Sequence, residues 1–399
     1  MQEYQKTLLD LLGRALFGAD VNISSDIDWS ALYKESNDQT VTSLVLNALT
    51  PDEIALVDDE TLKKWEGRAA FYAVRCAQLL YEQQSILTIL KENNIPCAVL
   101  KGSSVAQNYP DPDLRIMGDI DILVPKNLQS KAAGLITGNT EKTYENDGHF
   151  HISVNSKNIT VEIHNEPNGI EIASDENVKK QLRDFFSNAL SDTQETNKII
   201  TLSKEHQAVS LLLHKLSHFL SEGIGLRQLC DWACFVNKNL DDREFKKIKP
   251  RLESFGLLEF AGVITRTCCD WLHLPVSCAK WCMEYDKDLS EEIIEQILTN
   301  GNFGRKENYY GQRLFTDCSS SNRLTSMFKV LKKTCKDHWP PCQKYPILMP
   351  IAPFVLLARY FKMRKNKQRP NFNLIKIYKK AGPKQKLYKS LKPFEIKKQ

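Results

Sequence analysis

Apolar residues recur along this chain with two periods. Between positions 97 and 164 they stand in short runs or alternate with polar residues, the period of two that marks strands. Elsewhere they repeat every three to four residues, the period of helices. The helical pattern predicts elements over 4–17, 52–65 and 69–93. In the last of these Leu79, Leu80, Ile86, Leu87 and Leu90 form the apolar stripe and Pro96 follows the end. A first strand over 97–100 then stops abruptly at Gly102-Ser103-Ser104. A second, over 118–124, puts Asp119 and Asp121 on one face and Ile120, Ile122 and Val124 on the other. Pro125 ends that strand, and 127–135 reads as a helix before Gly138. His149, His151 and Ser153 next alternate against Phe150, Ile152 and Val154. Glu162 and His164 do the same against Val161 and Ile163, with a hairpin turn over 155–158 between the two runs.

From about 203 glycine and proline become sparse and the period is helical again. A helix over 205–220 carries His214 and His218 on one face and Leu211, Leu212, Leu216 and Phe219 as packing residues. Gly223-Ile224-Gly225 makes a tight turn, and a helix from Leu226 sets Arg227 and Asp231 one turn apart, within reach of an ion pair. More helix follows over 243–300, then a polar loop over 302–321 with Arg305, Lys306 and Arg313 available for phosphate. The expected class is α+β: a small mixed β-sheet core flanked by helices, with N-terminal helices and a C-terminal helical domain. Its divisions are 1–68, the sheet core 69–202, the helical domain 203–345, and an apolar segment with a basic tail over 346–399.

The 399 residues leave room for a sizeable core, and 42% apolar with 26% charged residues is the balance of a soluble globular chain. Eleven scattered cysteines, an odd number, suggest neither a disulfide framework nor a zinc ribbon; they fit small apolar residues in a reducing cytoplasm. The N-terminal stretch lacks the plan of a signal peptide. The longest apolar run, 347–358, contains Pro350 and Pro353 and is too short to span a bilayer. Charge is unevenly spread: residues 351–399 hold fifteen Lys and Arg against Glu395, a local +14 that leaves −9 for the rest of a +5 chain. With Phe372, Tyr378, Tyr388 and Phe394 interleaved, the tail is either a solvated extension or a peripheral contact for an anionic membrane. No motif for specific nucleic-acid readout accompanies it.

Chemistry concentrates in the strand region. Two carboxylates on one strand face repel unless a cation neutralises them, and hard oxygen ligands suit Mg²⁺. A strand ending in a Gly-Ser turn before a helical segment offers backbone N–H groups to phosphate, which makes Lys101, Gly102, Ser103 and Ser104 candidate nucleotide contacts and Arg115 a second anion contact. Glu162 supplies a third acid. Zinc on His149, His151, Glu162 and His164 is an alternative; histidines lining a polar cleft is the other. The His214/His218 pair has no Glu beside its first histidine, where Lys215 stands, which excludes a metalloprotease. A cleft role and a structural role both stay open for these two histidines.

The order of Gly-Ser, Asp-x-Asp and a later acid resembles the polymerase-β-like nucleotidyltransferase superfamily. Leu100-Lys101-Gly102, Tyr109-Pro110-Asp111-Pro112, Arg115, the 118–124 strand, Glu162-Ile163-His164, and Gly223 to Arg227 with Asp231-Trp232 look like the bacterial family known only as uncharacterised nucleotidyltransferases, over roughly residues 70–360. Asn165 departs from the Trp that relatives often carry. The resemblance implies two Mg²⁺ ions on Asp119 and Asp121, completed by Glu162. It also implies an NTP such as ATP as donor, and an acceptor that is a small molecule, a glycan or peptide precursor, or a protein. His164, His214, His218, Arg227 and Asp231 would then line the cleft. A non-catalytic nucleotide-binding regulator or antitoxin-like module is the competing reading.

Overall fold

The computed structural model describes residues 1–140, 151–221, 223–302, 332, 335, 339, 341–355, 358, 382 and 384–396. His149, Arg305, Lys306, Arg313, Phe372 and Tyr378 lie outside them, as do most of the 302–321 loop and most of the basic tail.

Strands β1 (Ala98–Val99), β2 (Ile120–Leu123), β3 (His151–Ser156), β4 (Ile159–His164), β5 (Thr193–Thr196) and β6 (Ile199–Leu202) form one mixed sheet in the order β3-β4-β2-β1-β6-β5. The β3–β4 hairpin turns at Lys157 and Asn158, both with positive φ, as a two-residue loop that follows strand twist requires. A second hairpin, β5–β6, turns in the same way at Asn197 and Lys198. The sequence pattern missed this pair: β5 reads Thr-Gln-Glu-Thr and is mostly exposed, so no apolar alternation marks it. Its partner β6 nonetheless runs parallel to β1 and shields that edge.

One face of the sheet is apolar from β3 across to β1. Val99, Ile120, Ile122, Ile152, Val161 and Ile163 pack there against Leu79, Ile86 and Leu90 of α5 (Asp59–Glu92) and against Ala132, Ala133 and Ile136 of α7 (Gln129–Thr137). The helices expected over 52–65 and 69–93 are therefore one 34-residue helix. Asp58 starts it by accepting from the Thr61 amide, and the break lies upstream, after the four-residue α4 (Pro51–Ile54). Gly67 does not interrupt the helix, since the propensity cost of one glycine is only about 1 kcal/mol.

The N-terminal helices α1 (Glu3–Phe17), α2 (Trp29–Asp38) and α3 (Thr42–Ala48) share a second core with α8 (Glu176–Phe186), α9 (Lys204–Ser221), α10 (Leu226–Asn239), α11 (Asp242–Ser254), α12 (Leu258–Leu272) and α13 (Lys287–Asn300). The chain end joins this core. Helical residues 384–390 bury Leu387 and Tyr388, whose hydroxyl donates to the Phe219 carbonyl at 2.6 Å, while Phe394 donates its amide to Gly256. Two of the four tail aromatics are thus spent on the protein's own interior. Among the described residues no helix is long and apolar enough to cross a membrane.

Candidate active site

The parallel pairing of β2 with β4 sets Asp121 directly beside Glu162. Asp119 precedes β2 by one residue on the same side, and ligand oxygens of the three acids lie within 4.8 Å of one another. Asp121 is not on an exposed face as its alternation suggested: it is only 2% exposed. Its Oδ1 meets Lys101 Nζ at 2.8 Å and His164 Nε2 at 3.0 Å. Burial alone would push this carboxyl up, but the Lys101 ammonium and the His164 imidazole hold it well below the usual carboxylate range. The same contacts keep Lys101 protonated against its burial, and they raise His164 in spite of its own. Glu162 is lowered, chiefly by its hydrogen bond with His164, 3.3 Å away. Asp119 is raised by burial and by the neighbouring Asp121 charge.

Behind the acids, β1 turns through Gly102 at φ 61° and ψ −117°, the mirror image of an extended backbone and open in practice only to glycine. The helical segment that follows, α6 (Ser103–Ala106), has four residues. Its serines turn inward: Ser103 donates to Gln83 Oε1 at 2.8 Å and Ser104 to the Lys101 carbonyl at 3.2 Å. Lys101 and Gly102 reach the cleft, and the two hydroxyls do not.

The opposite wall comes from α9 and α10. His214 and His218 pack edge to face with ring centroids 4.4 Å apart. Burial and then the nearby Lys101 charge press His214 well below the ordinary histidine range. The α10 N-terminus is fixed at Gly225, where a Cβ would stand 2.9 Å from Asn302 Cα. Gln228 accepts from the Gly225 amide at 2.9 Å, and Gln39, far away in sequence, accepts from the Leu226 amide at 3.0 Å. Arg227 donates to the Ile116 carbonyl at 2.9 Å, and its buried Nε has no partner among the described residues. The pair expected between Arg227 and Asp231 does not form. Asp231 is instead held by Arg115, Nε to Oδ1 at 2.7 Å and Nη2 to Oδ2 at 2.8 Å, with Tyr109 Oη donating to the same Oδ1. Arg115 is therefore engaged in a buried fork that ties the sheet to α10.

The two walls enclose a cavity of about 400 Å³, which brings together Lys101, Gly102, Arg115, Asp119, Asp121, Glu162, His214, His218, Arg227 and Asp231. His164 lies just behind the acids, with its side chain 1% exposed. Asn165 faces away and donates to Gln129 at 3.0 Å, so the departure at this position falls outside the cavity. His151, read from the sequence as a zinc candidate or a histidine facing a polar cleft, stands in this wall; sequence reasoning missed Asn168, Gln228 and Lys215 as its members. Lys215 did leave a signal: it sits between Leu211 and Phe219 in the apolar stripe of α9, where a charge has no place without a cavity to face. Its side chain is buried beneath the Trp232 ring at 5.6 Å, and burial brings its amine down to about 8.

A mixed, helix-flanked sheet thus sets three acids against a wall that carries lysine, arginine and histidine side chains. The chain belongs to the family of uncharacterised nucleotidyltransferases, whose sequence profile matches residues 25–273. The match begins earlier and ends earlier than the motifs alone implied, taking in α2 to α5, which share a core with α10 and α12. Comparison with curated proteins finds no match, and neither does comparison with solved structures.

Proposed function

We propose that this chain is a Mg²⁺-dependent nucleotidyltransferase of the polymerase-β-like superfamily. It would move an NMP group from an NTP such as ATP to an acceptor, releasing pyrophosphate. The observation that carries this reading is the convergence of Asp119, Asp121 and Glu162 on one cavity with the Lys101-Gly102 turn. The acids fit hard divalent ions: they offer oxygen donors at close quarters, and Asp121 stays ionised although buried. Bound there, two Mg²⁺ ions would supply neutralisation of the reacting phosphate and orientation of donor and acceptor.

The chain's own residues account for the rest. Asp119 and Asp121 hold the donor side, and Glu162 completes the acceptor side. Lys101 is the cation now paired with Asp121, and its amine is free to pass to the triphosphate when the carboxylate gains other partners. The exposed backbone of Gly102 lets phosphate approach without meeting a side chain. Arg227, which lines the same cavity, would add a second cation for the anion. His214, kept neutral, can exchange a hydrogen bond with a ligand without adding charge.

The acceptor belongs to the small molecules, to glycan or peptide precursors, or to proteins. A bacterial origin and a cytoplasmic setting accord with the resemblance and with ten free thiols among the described residues. Contact of the basic tail with an anionic membrane is drawn from its charge alone, and no specific nucleic acid enters. The test is incubation of the protein with α-labelled NTPs, Mg²⁺ and cell extract. Label joined to an acceptor with stoichiometric pyrophosphate is the expected result. Tight NTP binding with neither product, for all four nucleotides, would instead establish a non-catalytic nucleotide-binding protein.

A further inference from the structure

Glu162 belongs to a second ligand set that the carboxylate site does not use. In the β3–β4 hairpin His151 is the direct cross-strand partner of His164, and Glu162 precedes His164 by two residues, so all three side chains share one face. The two carboxylate oxygens of Glu162 divide between the imidazoles: Oε1 is 4.0 Å from His151 Nε2, and Oε2 is 3.3 Å from His164 Nε2. The rings themselves stand 5.2 Å apart, and one ligand atom from each of the three residues lies within 4.8 Å of the others. Ligands of an ion bound at about 2.1 Å sit roughly 3–4 Å from one another, so the set closes on a cation with side-chain adjustments below an ångström or so. The hairpin is also held firm for the purpose. Its turn is anchored by Glu82 of α5, which takes Lys157 Nζ at 2.8 Å and the Ser156 hydroxyl.

From this geometry we infer that His151, Glu162 and His164 form a nitrogen-containing cation site beside the all-carboxylate one, with Glu162 shared between them. It takes a divalent transition-metal ion, for which Mn²⁺, harder than its later neighbours but spectroscopically readable, is the probe. Two imidazoles and one carboxylate suit Co²⁺ or Zn²⁺ best and accept Mn²⁺ more readily than Mg²⁺, which prefers oxygen and retains its water. A purely structural His164 would need no second imidazole aimed at the same carboxylate from the facing strand. The inference rests on Asp119, Asp121 and Glu162 being cation ligands, and it adds that the two sites differ in ligand chemistry and therefore in the ion each prefers.

The experiment is titration of the full-length protein with Mn²⁺ alone, with the bound ion examined by electron spin echo envelope modulation. Modulation from ¹⁴N of coordinated imidazole is expected. His151→Asn, at a half-exposed position on the edge strand, is expected to diminish that signal and to weaken Mn²⁺ binding by about tenfold or more. Asp119→Asn is expected to leave the nitrogen signal in place. His164→Asn removes a buried side chain and is informative only if its melting curve stays cooperative; His151→Asn does not depend on it. Mn²⁺ bound without nitrogen modulation, at an affinity that His151→Asn does not change, overturns the histidine site while leaving the transferase reading intact. Failure of the transferase reading has a different signature, nitrogen-coordinated Mn²⁺ in a protein that transfers no label from any NTP.

Discussion

Arg115 grips both carboxylate oxygens of Asp231, at 2.7 and 2.8 Å, across 116 residues of sequence. The pair is buried, and Tyr109 completes it, so the loop before β2 and the second turn of α10 are fixed to one another. The cleft takes its shape from that fork. Asp231→Asn leaves the guanidinium buried and uncompensated, at an expected cost of about 3–5 kcal/mol in urea denaturation. Arg115→Lys cannot reproduce the two parallel hydrogen bonds and is expected to destabilise as well. Either variant unfolding at the wild-type midpoint would show that the fork is dispensable.

Asp121→Asn and Glu162→Gln are each expected to reduce label transfer by orders of magnitude, because an amide keeps the shape and loses the charge that a cation needs. The stability effects differ. Asp121 compensates Lys101 and His164 in a buried setting, so its loss is expected to lower the melting temperature, whereas the half-buried Glu162 loses less. Transfer within tenfold of wild type in a folded Asp121→Asn protein sinks the assignment.

Lys215 gives a pH dependence of definite sign. Its amine titrates near 8 in the folded chain against an ordinary value of 10.5, so between these limits the unfolded state binds more protons. Stability therefore rises with pH across that window, and below it the buried ammonium costs up to about 3 kcal/mol. Lys215→Met is expected to be more stable than wild type at pH 7, with the gap narrowing toward pH 10. A gap that does not change with pH, measured by denaturant titration, would contradict the burial of a charged amine.

Tyr388 is fully buried against Phe219, at a ring distance of 5.1 Å, although it lies in the basic tail. Tyr388→Ala is expected to cost about 3–5 kcal/mol, the range for removing a large core side chain. Truncation after residue 383 should be similarly damaging. Unchanged thermal unfolding after either would mean that the chain end does not pack in solution.

Much of the site was legible because strand alternation is local: Asp119, Asp121 and Glu162 follow from period two and a Gly-Ser turn. What escaped depends on distant partners. Nothing local shows that Arg115 is paired with Asp231, because that partner lies on a helix far along the chain. The Ser103 hydroxyl is taken by Gln83 of α5, a partner that no local pattern around the Gly-Ser turn shows. The β5–β6 hairpin was hidden because its outer strand is polar on both faces, and the docked chain end because lysines are interleaved with the four apolar side chains that anchor it, Leu387, Tyr388, Leu391 and Phe394.

The N-terminal helices supply no side chain to the cavity among the described residues, yet they bear on both of its walls. On one side α5, about 50 Å long at 1.5 Å per residue, runs from Trp65, whose indole donates to Thr42 in α3, to the underside of the sheet. On the other, Gln39 holds the first amide of α10 and reaches the Ile297 carbonyl in α13. The segment works as a caliper, with one jaw on the acids and the other on α10. The gap between carboxylates and basic helices is set when the chain folds, so a ligand entering it finds the spacing already fixed and need not draw the walls together.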